Sequence, residues 1–377
     1  VFGEVAGWER ANWFAGPDQE REYRYSWGRQ NWFANSRDEH LAVRNGVGLF
    51  DMTSFGKIRV EGRDALPLLQ RLCANDIDVA VGRIVYTQML NERGGIESDL
   101  TVARLSETAF LLVVPGATLQ RDLAWLRRHL GDAFAVVTDV TAAESVLCVM
   151  GPQSRELLQK VSPNDFSNEN NPFGTFQEIE IGLGLGRAHR VTYVGELGWE
   201  LYVSTDQGAH VFEAVEEAGA GLGLKLCGLH ALDSCRIEKA YRHFGHDITD
   251  EDHVLEAGLG FAVRTRKGDF IGRDAVLRKR DAGLSRRLVQ FLLEDPEPLL
   301  FHNEAILRDG EIVGTIASGN YGHHLGGAVG LGYVPCAGES EEEVLASSYE
   351  IEIAGIRVKA RASLKPLYDP GAERVRM

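Results

Sequence analysis

Residues 193–203, Tyr-Val-Gly-Glu-Leu-Gly-Trp-Glu-Leu-Tyr-Val, place the carboxylate of Glu200 inside an apolar run. The glycines between two apolar stretches predict a strand, a sharp turn and a second strand. A carboxylate in such a strand is costly to bury unless a partner donates hydrogen bonds to it. A ring with two parallel N–H groups, such as the amino-pyrimidinone of a pterin, would satisfy both oxygens. The alternative is a carboxylate that faces water or pairs with a nearby arginine.

The length and charge of the chain restrict its class. At 377 residues it is long enough for two or three domains, and its formal net charge of -15 argues against a nucleic-acid partner. Five scattered cysteines without a Cys-x-x-Cys pair predict neither disulfides nor a metal site, which indicates a reducing compartment. No run of about 18 apolar residues predicts a membrane span, and residues 1–21 do not resemble a leader. We therefore expect a cytoplasmic protein that binds neither nucleic acid nor membrane.

Apolar periodicity divides the chain into regions of different character. Residues 61–140 alternate strand and helix patterns with short connections, which is typical of a split, ferredoxin-like module. A second set begins at residue 141 and includes a predicted strand at 188–193 and a helix at 228–240. Beyond a predicted linker at 281–287, strand runs with Gly-rich turns over 288–377 predict a small all-β barrel or sandwich. We expect the aromatic-rich residues 1–37 to pack either on this chain or on a preceding domain.

A second acid invites comparison with Glu200. Asp99 follows a glycine turn at residues 94–95 and is the last polar residue before a predicted strand at 100–104. A turn-capping aspartate is one interpretation of this position. The other is that two acids on separate modules handle different parts of one ligand, one anchoring it and one acting on its reacting atoms.

Two other patterns predict no site. The glycines of residues 182–186 are followed by a predicted strand, whereas a dinucleotide-binding loop requires a helix there. The loop from His246 to His253 contains several acids, but their spacing fits no metal motif. We therefore interpret the first as a hairpin turn and the second as a polar loop.

Seven short motifs occur along the chain in the order typical of one family. They are Gly-Gly-x-x-x-Asp-Leu at 94–100, Met-Gly-Pro-Gln at 150–153, Tyr-x-Gly-Glu-x-Gly-x-Glu at 193–200, Leu-Asp-Ser-Cys-Arg-Ile-Glu at 232–238, Leu-Glu-Ala-Gly-Leu-Gly at 255–260, Lys-Gly-Asp-Phe-Ile-Gly at 267–272 and Gly-Thr-Ile-Ala-Ser-Gly at 314–319. In this order they resemble the tetrahydrofolate-dependent aminomethyltransferase (glycine cleavage T-protein) superfamily over nearly the whole chain.

Within the superfamily the chain is most similar to the folate-binding C-terminal region of dimethylglycine and sarcosine dehydrogenases. The motifs that carry this similarity are Gly-Trp-Glu-Arg at 7–10, Trp-Phe at 13–14 and 32–33, Gly-Arg at 28–29 and Gly-His-Asp at 245–247. In those enzymes a flavin domain precedes this region, so a flavin dehydrogenase domain or subunit is an expected partner. Leu232 stands where the T-protein has an arginine, which favours a small N-methyl amine over a lipoyl-linked substrate.

The resemblance implies an α+β fold of three domains around a central channel, the aminomethyltransferase-like cloverleaf. A discontinuous α/β folate-binding domain would comprise residues 38–60 and 141–280. The ferredoxin-like module would occupy residues 61–140 and a C-terminal β-barrel residues 288–377, with the extension at residues 1–37.

The resemblance also implies roles for six residues. Asp99 would be the catalytic acid near the N5 and N10 nitrogens of folate, and Glu200 would anchor the pterin. The remaining folate-binding positions are aromatic: Phe55, which replaces a methionine of the T-protein, Tyr86, Tyr193 and Tyr368.

The implied function is transfer of one carbon from an N-methyl amine to tetrahydrofolate. An imine or aminomethyl intermediate would give 5,10-methylenetetrahydrofolate, with a small-molecule methyl or methylene donor as the second substrate. Two alternatives stay open: a free-standing demethylase that gives 5-methyltetrahydrofolate, and a folate-binding regulator without transfer activity. No metal is expected in any of the three.

Overall fold

The computed structural model describes all residues from Val1 to Met377, which form eight α-helices and nineteen β-strands. The helices are α1 Phe33–Asn45, α2 Ala65–Leu72, α3 Leu119–Arg128, α4 Ser154–Val161, α5 Gly208–Gly219, α6 Leu229–Glu238, α7 Arg273–Ala282 and α8 Glu341–Ala346. The strands are β1 Phe2–Val5, β2 Trp8–Ala11, β3 Gly48–Asp51, β4 Gly56–Glu61, β5 Ile84–Leu90, β6 Ile96–Arg104, β7 Ala109–Val114, β8 Val136–Asp139, β9 Glu144–Met150, β10 Phe176–Ile181, β11 Gly184–His189, β12 Gly198–Ser204, β13 Lys225–Leu226, β14 Arg286–Leu293, β15 Ala305–Arg308, β16 Glu311–Gly322, β17 Gly327–Pro335, β18 Tyr349–Ile353 and β19 Ile356–Ser363.

The first sheet has six strands in the order β10-β11-β12-β9-β3-β13. All of its pairs are antiparallel except the short pair of β13 with β3. Helices α4 and α5 cover one face, where Leu157, Val211 and Val215 pack against Trp199 and Leu201 of β12. Since side chains alternate along a strand, Glu200 and Tyr202 point to the other face.

The second sheet has five antiparallel strands in the order β5-β6-β7-β4-β8. Apolar residues at helical spacing in α2 and α3, such as Leu69 and Leu123, cover one face and pack against Leu100 and Val102 of β6. The alternation along β6 therefore turns Asp99 and Ala103 to the opposite face.

These two uncovered faces pack against each other. Ile84, Ala103 and Leu111 of the second sheet form one buried cluster with Cys148 and Tyr202 of the first. Backbone hydrogen bonds also cross the boundary, from the amide of Ile84 to the carbonyl of Gly174 at 2.9 Å. We call this boundary the seam.

The C-terminal residues form a closed six-stranded barrel in the order β14-β17-β16-β15-β18-β19. Its interior is apolar and includes Phe291, Ile316 and Ile351. Helix α6, which precedes the barrel in the chain, packs on β16 and β17 of the barrel. The α+β class and the C-terminal barrel predicted from the sequence are thus confirmed.

Several boundaries differ from the sequence prediction. Strand β4 pairs entirely within the second sheet, so that sheet begins before residue 61. The predicted linker at 281–287 is short, because α7 extends to Ala282 and β14 begins at Arg286. The predicted strand at 188–193 is β11, which ends at His189 and leaves Tyr193 in a loop. Residues 182–186 contain the two-residue β10–β11 turn, where Gly182 has a φ of +58, and the first residues of β11 from Gly184.

The N-terminal extension folds back in part. Trp13 is fully buried, and Trp32 stacks on His230 of α6 with ring centroids 5.4 Å apart. Tyr25 and Trp27 are exposed. The expectation of packing on this chain therefore holds for some of the aromatic residues and not for others.

Candidate active site

Asp99 lies inside β6 rather than at its start, because the strand begins at Ile96. The strand thus begins four residues before the predicted start at Leu100, and the prediction that Asp99 precedes it is wrong. From β5, the Tyr86 hydroxyl donates to Asp99 Oδ1 at 2.6 Å and the Gln88 amide donates to the same oxygen at 2.8 Å. No hydrogen bond from the protein reaches Oδ2, which leaves one oxygen of a half-buried carboxylate available.

Burial raises the pKa of Asp99 to about 6, and the bonds from Gln88 and Tyr86 and the charge of Arg242 oppose the rise. The group is therefore ionised at neutral pH and gains a proton in mildly acidic solution. Burial raises the pKa of Tyr193, and the negative charge of Asp99 is among the smaller causes of that rise. The interactions of Asp99 with Arg242 and with Tyr193 indicate that these three side chains lie near one another.

Glu200 lies on the seam face of β12, opposite Cys148 of β9 and His189 of β11. It is 8% exposed, and burial raises its pKa to about 7. The Tyr202 hydroxyl donates to Oε2 at 2.8 Å. No protein group donates to Oε1, so Glu200, like Asp99, keeps one oxygen without a partner.

Aromatic side chains lie near Asp99 and at the seam. The Tyr86 ring stacks on Phe261 with centroids 6.1 Å apart, and the Tyr193 ring stacks on Tyr241 at the same centroid distance. The Tyr193 hydroxyl donates to the carbonyl of Arg242 at 2.9 Å. Phe55, in the loop after β3, packs against the seam cluster. Flat side chains of this kind can cover the faces of a planar ligand.

Tyr368 belongs to a different cluster. Its hydroxyl donates to Glu196, and the Arg44 guanidinium lies over its ring at 3.9 Å from the centroid. Its ring also meets His324 edge-on at 4.8 Å. The contacts of Tyr368 are thus to a buried ion network rather than to Asp99 or Glu200.

Sequence reasoning named Tyr86 but missed Gln88 and Tyr202, which also donate to the acids, and His189, which lies beside Glu200. Two of the missed residues are two residues along a strand from a predicted residue: Gln88 from Tyr86 and Tyr202 from Glu200. The third, His189, pairs with Glu200 on the neighbouring strand. The period of two along β5 and β12 could have indicated Gln88 and Tyr202. Arg242 lies in a loop after α6, where no local pattern indicates that it approaches Asp99.

Two family models match the chain. The GCVT N-terminal domain covers residues 1–267, and the glycine cleavage T-protein C-terminal barrel domain covers residues 286–369. The chain belongs to the glycine cleavage T-protein family. This confirms the family assignment made from the seven motifs.

Relatives of two kinds are similar to the chain. It is 45% identical to 4-methylaminobutanoate oxidase (formaldehyde-forming) of Paenarthrobacter nicotinovorans, over 100% of this chain and 45% of that protein. It is 36% identical to the mitochondrial sarcosine dehydrogenase of Homo sapiens, over 100% of this chain and 46% of that protein. The chain spans less than half the length of these relatives.

A solved structure shares the fold. The aminomethyltransferase T of the glycine cleavage system from Bartonella henselae has a TM-score of 0.82 and 25% sequence identity, covering 98% of this chain and 94% of that one. The predicted aminomethyltransferase fold is therefore confirmed. In this chain no helix has the length and apolar character needed to cross a membrane.

Proposed function

We propose that the chain transfers one carbon from an N-methyl amine to tetrahydrofolate and gives 5,10-methylenetetrahydrofolate. The observation that carries this proposal is the pair of half-satisfied acids at the seam, Asp99 and Glu200, each with one oxygen that no protein group contacts. Both oxygens keep some exposed surface, so a polar ligand that enters between the two facing sheets can donate hydrogen bonds to them.

Glu200 is suited to hold the pterin ring. Its unpartnered Oε1 and its Oε2, already bound to Tyr202, can together accept two parallel N–H groups of an amino-pyrimidinone. Binding would keep the carboxylate ionised, because charge-assisted bonds offset the burial that raises its pKa.

Asp99 is suited to the reacting atoms. Folate supplies the nucleophilic nitrogen that accepts the one-carbon unit. The ionised carboxylate of Asp99 would stabilise the positive charge of an iminium donor, and this interaction is stronger in a partly dry pocket than in water. Its pKa of about 6 also allows it to take up the proton released from a folate nitrogen near neutral pH. Tyr86 and Gln88 fix its orientation.

The donor in this proposal is an oxidised N-methyl amine supplied by a flavin dehydrogenase domain or subunit. Two relatives named as an oxidase and a dehydrogenase of methylated amines are more than twice as long as this chain, which supports such an arrangement. The aromatic side chains of Phe55, Tyr86 and Tyr193 would line the folate, while the contacts of Tyr368 argue for a supporting role.

Product identity tests the proposal. The chain is incubated with tetrahydrofolate and a methylated amine, with and without a flavin amine dehydrogenase, and the folate product is identified by mass. We expect 5,10-methylenetetrahydrofolate, formed faster than in the same mixture without the chain. Formation of 5-methyltetrahydrofolate without the dehydrogenase would establish the demethylase instead.

Binding provides the second part of the test. We expect tetrahydrofolate to bind the chain in calorimetry, and Glu200→Gln to weaken binding about tenfold through loss of a charge-assisted pair. Glu178→Gln, at an exposed position of β10 in the same sheet, is the matched control and leaves affinity unchanged. Binding without any product from any donor would favour a folate-binding regulator, and absence of binding would refute all three functions.

A further inference from the structure

His189 is a buried polar residue beside Glu200 that the proposed function does not use. It is the last residue of β11 and pairs directly with Glu200 of β12. Directly paired residues carry their side chains on the same face of a sheet, with Cβ atoms about 5 Å apart. The His189 ring lies against the Tyr202 ring with centroids 4.2 Å apart, and Tyr202 in turn bonds to Glu200.

The Nε2 atom of His189 lacks a hydrogen-bond partner although the residue is only 1% exposed. Its two ring neighbours are Tyr202 and Phe176, whose centroid is 5.1 Å away. Phe176 offers no polar atom, and the Tyr202 hydroxyl donates to Glu200. An unpaired buried polar group costs about 1–3 kcal/mol, so its presence in this layer calls for an explanation.

The imidazole is neutral at physiological pH. Burial, with a smaller contribution from the Arg187 charge, moves the pKa of His189 well below its ordinary value. A neutral imidazole has one N–H donor and one acceptor nitrogen. It therefore complements Glu200, which offers only acceptor oxygens when ionised.

We propose that His189 is a second polar contact for the ring that Glu200 anchors, and that it donates to a carbonyl oxygen or ring nitrogen next to the N–H groups bound by Glu200. The ligand class is a planar heterocycle whose edge alternates donors and acceptors, as in an amino-pyrimidinone. This inference rests on the proposed function and adds a residue that sets specificity for the heterocycle's edge.

Replacing His189 by phenylalanine separates this role from a structural one. The variant His189→Phe keeps a flat ring against Tyr202 and removes the polar atoms. If the His189 nitrogen is unpaired in the free protein, replacing the ring by an apolar one of similar shape breaks no hydrogen bond. The midpoint of thermal unfolding without ligand should then stay the same or rise. The dissociation constant for tetrahydrofolate, measured by calorimetry, is expected to rise about tenfold.

Two further variants complete the test. His189→Gln retains an N–H donor and should recover part of the lost affinity. His129→Phe is the matched histidine control and should bind as the wild type does. His129 directly follows α3 and bonds the Trp125 carbonyl on the outer face of the second sheet.

Wild-type affinity in His189→Phe, or a large loss of its stability without ligand, would overturn the inference. Failure of the wild-type chain itself to bind tetrahydrofolate would instead overturn the proposed function, so the two failures are distinguishable.

Discussion

The molecule contains two groups of buried acids with opposite character. In the network of α1 and α6, Glu238 accepts bonds from Arg44 at 2.9 Å and from the amides of His324 and Leu325, so both of its oxygens are satisfied. Burial would raise its pKa, but the hydrogen bond and charge of His40, followed by the charge of Arg44 and the amide of Leu325, lower it to about 2. At the seam, Asp99 and Glu200 each keep an unpartnered oxygen, and burial raises their pKa values to about 6 and about 7.

The difference teaches how to separate structural from functional acids in one fold. A carboxylate with every oxygen bound and an arginine partner stabilises the packing of elements that are distant in sequence. At the seam, by contrast, the spare oxygens of Asp99 and Glu200 remain free to accept hydrogen bonds from the ligand of the proposed function. Each region should therefore respond differently to substitution.

The largest expected effect concerns the satisfied network. Arg44→Met leaves Glu238 and Glu196 buried without their shared cation, so the free energy of unfolding should fall by about 3–5 kcal/mol in denaturant titrations. Arg37→Met is the control on the same helix, because its ion pair with Asp38 is exposed and should contribute below about 1 kcal/mol. A loss in Arg44→Met no larger than the control would remove the contrast between the two regions.

The next effect concerns turnover. Asp99→Asn should slow product formation about 10²-fold or more while the dissociation constant for folate changes less than about tenfold, since an acid–base group acts mainly in the reaction step. Activity of the wild type should fall as pH drops through about 6, and the variant should lack this step.

Asp122→Asn is the control for Asp99. Burial also raises the pKa of Asp122 to about 6, but the group lies on α3 and bonds to Thr118. Its replacement should leave turnover essentially unchanged. Equal losses of binding and turnover in Asp99→Asn would make Asp99 an anchor rather than a catalytic group.

A smaller effect is the pH dependence of stability at Glu200. The folded state keeps the proton up to a pH of about 7, whereas the ordinary pKa is 4.5. Stability from this group is therefore present below pH 4.5 and is lost as pH rises to about 7. Without ligand, the free energy of unfolding of Glu200→Gln, taken relative to that of the wild type, should increase by on the order of 2 kcal/mol between pH 4 and pH 8. Identical pH profiles would show that Glu200 is not held in a dry site.

The smallest effect decides to which region Tyr368 belongs. Tyr368→Phe keeps the ring against Arg44 and removes the bond to Glu196, so stability should fall by about 1 kcal/mol and folate affinity should stay the same. A clear loss of affinity with unchanged stability would instead assign Tyr368 to the folate site, as the sequence resemblance implied.

The sequence predicted the acids better than their surroundings. Asp99 and Glu200 were identified because each lies in a recognisable local pattern of glycines and apolar residues. Among the side chains around them, Tyr86 was also named, but Gln88 and His189 were not, because Gln88 meets Asp99 only through the register of β5 with β6, and His189 lies beside Glu200 only through that of β11 with β12. Register depends on pairing between distant segments and has no local signal.

Element boundaries show the same limit. The predicted helix at 228–240 is α6, found at Leu229–Glu238, although its buried residues include polar as well as apolar side chains. The two-residue strand β13 escaped prediction, since it exists only through its parallel pairing with β3. The strand around Asp99 was predicted too short, because the polar residues before Leu100 resemble a turn.

The seam between the two sheets has a consequence for which lengths of ligand would fit the proposed site. Asp99 and Glu200 belong to different sheets, so the distance between the two carboxylates depends on how the sheets pack at the seam cluster, which includes Ile84 and Tyr202. A slide of one sheet over the other would change that distance directly, without altering either sheet. The packing of the two sheets would thus select the ligand of the proposed site by its length. Substitutions in this cluster, remote from any reacting atom, should therefore alter which lengths of molecule bind.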